Sequence, residues 1–233
     1  MKLLIFLFVS CGSLAAQTQL SSAAAVGGVL TGEDGSLIAG ARVGLLLQSP
    51  PTHGKALQTF WSVASGADGS FFFSGLKAAT YKICVEPGGV WLNPCEWGLN
   101  PLIFALANQQ TASSANVVLT KGALITIQIN DPGQFLAKNE GTAPGAHLLI
   151  GVPTAAFSFH AASLQSQDST GRTYQAVVPF NYPAVIVIRS PYFQLSSASG
   201  VALPAGATVP ITVASGQTPG PLTFTVTGGG GND

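Results

Sequence analysis

The sequence predicts an all-β protein made of two consecutive β-sandwich domains behind an export signal. Short runs rich in β-branched and aromatic residues recur along the chain, and Gly, Pro, Asp and Ser separate them. No stretch of about 12 residues carries a capped helical apolar period. The order of strand and turn signals in the first half returns in the second half, which is typical of a duplicated unit.

The N-terminal residues predict a signal peptide at 1–16. Lys2 supplies a positive charge, residues 3–9 an apolar run, and residues 13–16 the small side chains that favour cleavage before Gln17. An alternative is a lipoprotein anchored at Cys11, because residues 8–11 resemble a lipobox. No later run approaches the roughly 20 apolar residues of a membrane-spanning helix. The sequence therefore predicts a secreted or periplasmic protein of the cell envelope without a membrane span.

Charged residues are scarce and balanced. Nine Lys or Arg and nine Asp or Glu make up 8% of the 233 residues, against roughly 25% in an average soluble domain. A chain this poor in basic residues has no field to hold nucleic acid, so we expect no nucleic-acid partner. Intrinsic disorder is excluded as well, because 47% of the residues are hydrophobic.

Turn residues divide the chain into predicted strands. Asp34-Gly35 and Asp68-Gly69 predict tight turns, because Gly accepts a positive φ and Asp caps the local backbone. The runs that predict strands are 25–30, 42–47, 59–64, 70–73, 81–86, 116–120, 124–129, 147–152, 157–164, 173–178, 184–189, 208–213 and 222–227.

Four signals recur in unchanged order and at near-constant spacing. They predict one β unit used twice, with domains at 23–121 and 122–227 and a flexible Gly-rich tail at 228–233. Recurrence of Asp-Gly turns in any β protein is the alternative. The matched pairs are Asp34 with Asp131, Gly40-Ala41 with Gly145-Ala146, Gly69 with Gly171, and Tyr81 with Tyr182.

Residues 26–35 (VGGVLTGEDG) and 38–43 (IAGARV), followed by 67–73 (ADGSFFF) and Thr80-Tyr81, resemble the carboxypeptidase regulatory-like domain. The resemblance implies a transthyretin-like, immunoglobulin-like β-sandwich, used as a non-catalytic module in secreted bacterial proteins. The chain departs from the pattern at Ala78-Ala79, where the family usually has Pro-Gly. The motif marks a fold and not a chemistry.

Two cysteines remain after the predicted signal, Cys84 and Cys95. In an oxidising compartment such a pair predicts a disulfide, which would close the intervening loop. The spacing lacks the Cys-x-x-Cys pattern of a zinc site, so we expect no metal there.

The disulfide loop carries the candidate ligand-binding residues. Trp91 and Trp97 bracket Asn93 and Glu96. Aromatic side chains on a stiff loop lose little entropy on binding, and their faces stack on sugars or peptides. The alternative is that both Trp side chains bury the disulfide and cap the end of a sandwich.

Catalytic signals are weak. His53, His147 and His160 are scattered, and a metal site at His147 and His160 would lack a nearby carboxylate pair. No Gly-x-Ser-x-Gly elbow is present, and five of the nine acidic residues have turn positions. We therefore predict no catalytic residues, no metal site, no cofactor and no enzymatic activity.

The sequence favours a secreted, non-catalytic protein with a structural or protein-interaction role at the cell exterior. A carbohydrate- or peptide-binding module using Trp91 and Trp97 is the alternative. The expected partner is a protein or glycan outside the cell. Self-association through edge strands is also open, because low charge leaves such edges weakly protected.

Overall fold

The computed structural model describes residues 23–48, 60–112, 114–140, 148–190, 193–204 and 206–229. The predicted signal peptide, Cys11, His53 and His147 lie outside these ranges. The last strand continues through Gly229, so the first two residues of the predicted tail belong to a strand. Among the described residues, no helix has the length and apolarity to cross a membrane.

The described chain is almost entirely β. Its strands in the first half are β1 (Ala24–Gly32), β2 (Arg42–Leu47), β3 (Phe60–Ala64), β4 (Ser70–Leu76), β5 (Ala79–Glu86), β6 (Ile103–Leu106), β7 (Thr111–Ala112) and β8 (Val117–Leu119). Those in the second half are β9 (Gly122–Asn130), β10 (Leu149–Pro153), β11 (Phe159–Ala161), β12 (Ser163–Asp168), β13 (Gly171–Pro179), β14 (Ala184–Arg189), β15 (Phe193–Ser197), β16 (Ala202–Leu203), β17 (Ala207–Ile211) and β18 (Leu222–Gly229). Two short helices are α1 (Pro94–Trp97) and α2 (Phe135–Glu140).

The first half folds into two sheets, called here the first sheet pair. One has the order β4-β1-β7 with β8 also paired to β1, and the other has the order β3-β2-β5-β6. Buried residues alternate along the strands, for example Val43 and Leu45 on β2 and Tyr81 and Ile83 on β5. They meet the inner face of β1 and β4 in a single apolar cluster, which makes the pair a β-sandwich.

The second half repeats this plan and enlarges it. In the second sheet pair, the orders are β11-β10-β14-β17 and β12-β13-β9-β18-β15-β16. Its core is a second cluster, built mainly from buried residues of β9, β10, β13 and β14. Two of its buried members, Leu92 and Trp97, come from the first half.

Seven strands of the first half have a counterpart with the same pairings in the second half. In each half the first strand pairs antiparallel on one side and parallel with the closing strand on the other. The four-strand sheets correspond as well. The matching strands are β1 with β9, β2 with β10, β3 with β11, β4 with β13, β5 with β14, β6 with β17, and β8 with β18.

Several elements differ from the prediction. Run 157–164 is two strands, because Phe157 lies in a turn at φ 57° and the chain passes from one sheet to the other after Ala161. Neither helix was predicted. Asp131, expected in a simple turn, is buried and accepts hydrogen bonds from the backbone N–H of Phe135 and Leu136, which starts α2.

Candidate functional site

The predicted disulfide is present. Cys84 on β5 is bonded to Cys95 in α1, with a Cα–Cα distance of 5.4 Å. The bond confirms the pairing expected from the two cysteines. It fastens α1 to the central part of the β3-β2-β5-β6 sheet, so the segment after β5 has a covalent anchor.

Helix α1 is set by its capping residues. Asn93 accepts a hydrogen bond from the Cys95 N–H at 3.0 Å, Pro94 occupies the first turn, and Gly98 ends the helix at φ 66°. The Asn93 side chain is thus occupied by the cap, and the residue is 8% exposed. Asn93, one of the four candidate ligand-binding residues, therefore has a structural role as the N-cap of α1.

Trp97 is a core residue of the second sheet pair. It is 6% exposed, and its ring meets Tyr182 edge-on with centroids 5.7 Å apart. Leu92 belongs to the same cluster. The loop held by the disulfide therefore inserts two apolar side chains into the second core.

Trp91 lies where the two halves join. Its backbone bridges to Lys121, and the Lys121 Nζ lies 5.2 Å from the centre of the Trp91 ring. A methyl group at Gly32 would overlap that ring. The Trp91 ring is thus packed closely against the end of β1, and the ammonium group of Lys121 lies over the ring.

The turn after β1 holds Lys121 in this position. Lys121 Nζ donates to Asp34 Oδ2 at 2.6 Å, and the Lys121 N–H donates to Glu33 Oε1 at 3.1 Å. The bond from Lys121, with further bonds from Ser36, holds the pKa of Asp34 well below its usual range. The acidic turn predicted from Glu33-Asp34-Gly35 therefore fixes the connection between β8 and β9.

Glu96 is joined to the second sheet pair by its side chain and its backbone. His160 Nδ1 on β11 lies 2.9 Å from Glu96 Oε2, and the Ala156 N–H donates to the Glu96 carbonyl at 2.9 Å. The hydrogen bond to Glu96 raises the pKa of His160, and the charges of Glu96 and Glu86 add to the effect while burial opposes it. Sequence reasoning identified Glu96 as a candidate but did not pair it with His160.

All four predicted residues line one open cleft of about 360 Å³ between the two halves. Glu86, His160 and the amide side chains of Gln165 and Gln175 also line it. The structure thus brings together Trp91, Asn93, Glu96 and Trp97, with Asn93 and Trp97 mostly buried in its wall. Ligand binding by these residues remains a prediction.

The cleft has a mixed lining, and one of its polar side chains, Ser163, is hydrogen-bonded within it. The hydroxyl of Ser163 donates to the Gln175 carbonyl at 3.3 Å and accepts from Gln165 Nε2 at 2.7 Å, so its bonds go to the amide side of the cleft and not to His160. Within the described ranges, no three His, Cys, Asp or Glu side chains are grouped as metal ligands would be.

No family model matches the chain, and no curated protein matches it. Solved structures with some similarity include a Streptococcal ancillary pilin, with 11% identity over 89% of this chain and a TM-score of 0.44. This chain spans 63% of the length of that pilin. GBS52, the minor pilin of Streptococcus agalactiae, is 12% identical over 88% of this chain and 94% of its own, with a TM-score of 0.38. The shaft pilin spaA of Lactobacillus rhamnosus GG is 11% identical over 88% of this chain and 98% of its own, with a TM-score of 0.30.

Proposed function

We propose that the chain is an exported, non-catalytic protein with a structural or protein-interaction role at the cell exterior. It consists of two carboxypeptidase regulatory-like β-sandwich domains at 23–121 and 122–227. The correspondence of seven strands supports the duplication, since they pair in the same order in both halves. Export agrees with the Cys84–Cys95 disulfide, because such bonds persist in oxidising compartments.

The observation that carries the structural role is the connection between the halves. The disulfide anchors α1 to the first sheet pair, and α1 places Trp97 in the second core. The Glu96–His160 bond crosses the same junction, and the Lys121–Asp34 ion pair fixes the connection from β8 to β9 beside it. Two modules joined by a flexible linker would not need these contacts, whereas a fixed junction is compatible with a structural role.

The proposal is tested in the organism that produces the protein. We expect fractionation to place it in the envelope or the medium, cleaved before Gln17 and without free thiols. In situ cross-linking should give adducts with an envelope protein or with a second copy. Recovery in the cytoplasm with the leader intact and both thiols free, and without adducts, would contradict the proposal.

A second candidate is a module that binds carbohydrate or peptide in the junction cleft. The volume of about 360 Å³ and the mixture of Trp91, Glu96 and amide side chains favour it. Calorimetric and Trp-fluorescence titrations with a broad panel of glycans and extended peptides would test it. Binding that Trp91→Phe weakens supports this candidate, and the absence of any signal across the panel eliminates it.

A further inference from the structure

Strand β4 leaves a long edge of the first sheet pair open. Within the described ranges β4 hydrogen-bonds to β1 alone, and its seven residues include neither a charge nor a proline. Some other edge strands are protected: β7 and β16 have two residues, β11 has three, and β17 contains Pro210. Edge strands β3 and β6 also lack a charge and a proline, but they have five and four residues against the seven of β4. Edge strand β12 carries a register shift between Leu164 and Ser166. Natural proteins use such devices to stop edges from pairing, and β4 has none of them over residues 70–73. The register shift of β4 against β1 comes after Phe73.

The second half of the molecule indicates what belongs on this edge. The counterpart of β4 is β13, and β13 pairs antiparallel with β12 on the side away from β9. The first sheet pair has no such strand among its described residues. The position beside β4 is therefore one that this architecture fills with an antiparallel strand in its other copy.

The sequence of β4 is self-complementary. Residues 70–74 read Ser-Phe-Phe-Phe-Ser, which is the same in both directions about Phe72. In an antiparallel pair of two β4 strands centred on Phe72, Phe71 lies opposite Phe73 and Ser70 lies opposite Ser74 of the other copy. Aromatic pairs and Ser–Ser pairs are favourable across strands, and a two-fold axis requires this kind of symmetry.

The charges next to β4 also agree with a two-fold arrangement. Asp68 precedes the strand and Lys77 follows it, and both are exposed. Antiparallel pairing about Phe72 brings the Asp68 end of each strand beside the Lys77 end of the other. Opposite charges therefore meet at both ends of the contact, whereas a parallel pairing would set like charges together.

The surface around the edge is apolar and accessible. Phe72 is 56% exposed, and it lies over Gly27 of β1, which has no side chain to cover it. An open groove of about 540 Å³ follows the edge and is lined by Val63 and Ala64 of β3 as well as by Phe71 and Phe72. Aromatic side chains of a second copy would find an apolar surface there.

We propose that two copies of this chain associate through antiparallel pairing of their β4 strands about Phe72, which joins the two β4-β1 sheets into one continuous sheet. This inference names a partner within the proposed structural role. A monomeric result would overturn the β4 pairing and would leave the localisation result unaffected.

The first test measures the oligomeric state of the purified exported chain by sedimentation equilibrium over a wide concentration range. We expect a monomer–dimer equilibrium that Phe72→Lys weakens by at least about tenfold in Kd, because two ammonium groups then face each other across the axis. Ile103→Lys on β6 is the matched control, since Ile103 is also 56% exposed. Equal weakening by both variants, or a monomer at every concentration, would overturn the proposal.

The second test fixes the register by cysteine cross-linking. Oxidised Phe72→Cys should give a covalent dimer, since the two positions face each other on the axis. Ser70→Cys and Ser74→Cys should cross-link with each other in a mixture but not when each is oxidised alone, because residue 70 lies opposite residue 74. Cross-linking in every sample, or in none, would contradict this pairing. Circular dichroism of each variant checks that it is folded.

Discussion

His160 Nδ1 lies 2.9 Å from Glu96 Oε2, so a side chain of β11 in the second sheet pair is bonded to the helix that the disulfide fastens to the first. The contact joins residues 64 positions apart. Among the described residues, it is the junction contact whose strength depends on a group that titrates near neutral pH.

We expect the stability of the protein to fall as the pH rises above 6.5. The pKa of His160 is raised from 6.5, chiefly by its hydrogen bond to Glu96, while Glu86 contributes charge and is itself paired with Arg42. A group whose pKa is higher in the folded than in the unfolded protein stabilises the folded state. This stabilisation is complete below the unfolded pKa and is lost as the pH rises through the folded pKa. Denaturant midpoints measured at a series of pH values should show this decrease.

The variant His160→Gln separates this effect from other titrations. Glutamine keeps a hydrogen-bond donor for Glu96 but has no titrating charge, so the decrease above pH 6.5 should disappear. In the wild type, an NMR titration should place the pKa of His160 above 6.5, and Glu96→Gln should lower it. An unchanged pH dependence in His160→Gln would show that another group is responsible.

Removal of the disulfide should destabilise the fold. We expect Cys84→Ser with Cys95→Ser to lower the free energy of unfolding by about 2–4 kcal/mol, because the unfolded chain loses a constraint. Denaturation monitored by circular dichroism would measure the loss. A reducing agent should have a similar effect on the wild type and none on the double variant; a double variant as stable as the oxidised wild type would contradict this.

Trp97 should contribute to stability as a core residue. Because it is nearly buried and packs on Tyr182, we expect Trp97→Ala to cost about 3–5 kcal/mol. Phe157→Ala is the control, since Phe157 is fully exposed and its truncation leaves no cavity. Equilibrium urea unfolding would measure both. A cost for Trp97→Ala no larger than that of the control would show that its ring is not part of the core.

Local patterns identified most of the strands. Runs 42–47 and 184–189 coincide with β2 and β14, because a strand between turn residues is encoded by its own residues and its neighbours. The two-residue strands β7 and β16 carry too few residues for a period to be visible. Helix α1 is likewise too short for a period, although Asn93-Pro94 and Gly98 are cap signals that mark its ends.

The site was partly predictable. The spacing of Trp91, Trp97 and the two cysteines pointed to the loop that lines the junction cleft, because a disulfide and aromatic residues in one short segment are visible in the sequence. The partnership of Glu96 with His160 and that of Lys121 with Asp34 were not visible, since both depend on the approach of segments far apart in the chain. The division of roles, with Asn93 as a cap and Trp97 in the core, also follows from tertiary packing.

The close packing of Trp91 on the end of β1 gives a last prediction. A Cβ at Gly32 would overlap several carbons of the Trp91 ring, and the Lys121 ammonium lies over the same ring. The ring has to shift to admit a methyl group, so Gly32→Ala should cost about 1–3 kcal/mol. Gly88→Ala is the matched control: no atom lies within 4 Å of its added Cβ, and we expect a change within about 0.5 kcal/mol. Urea unfolding of both variants measures the difference, and the cost of Gly32→Ala should shrink when Trp91→Ala removes the obstructing ring. If Gly32→Ala is as stable as Gly88→Ala, then Trp91 does not pack against β1 in solution.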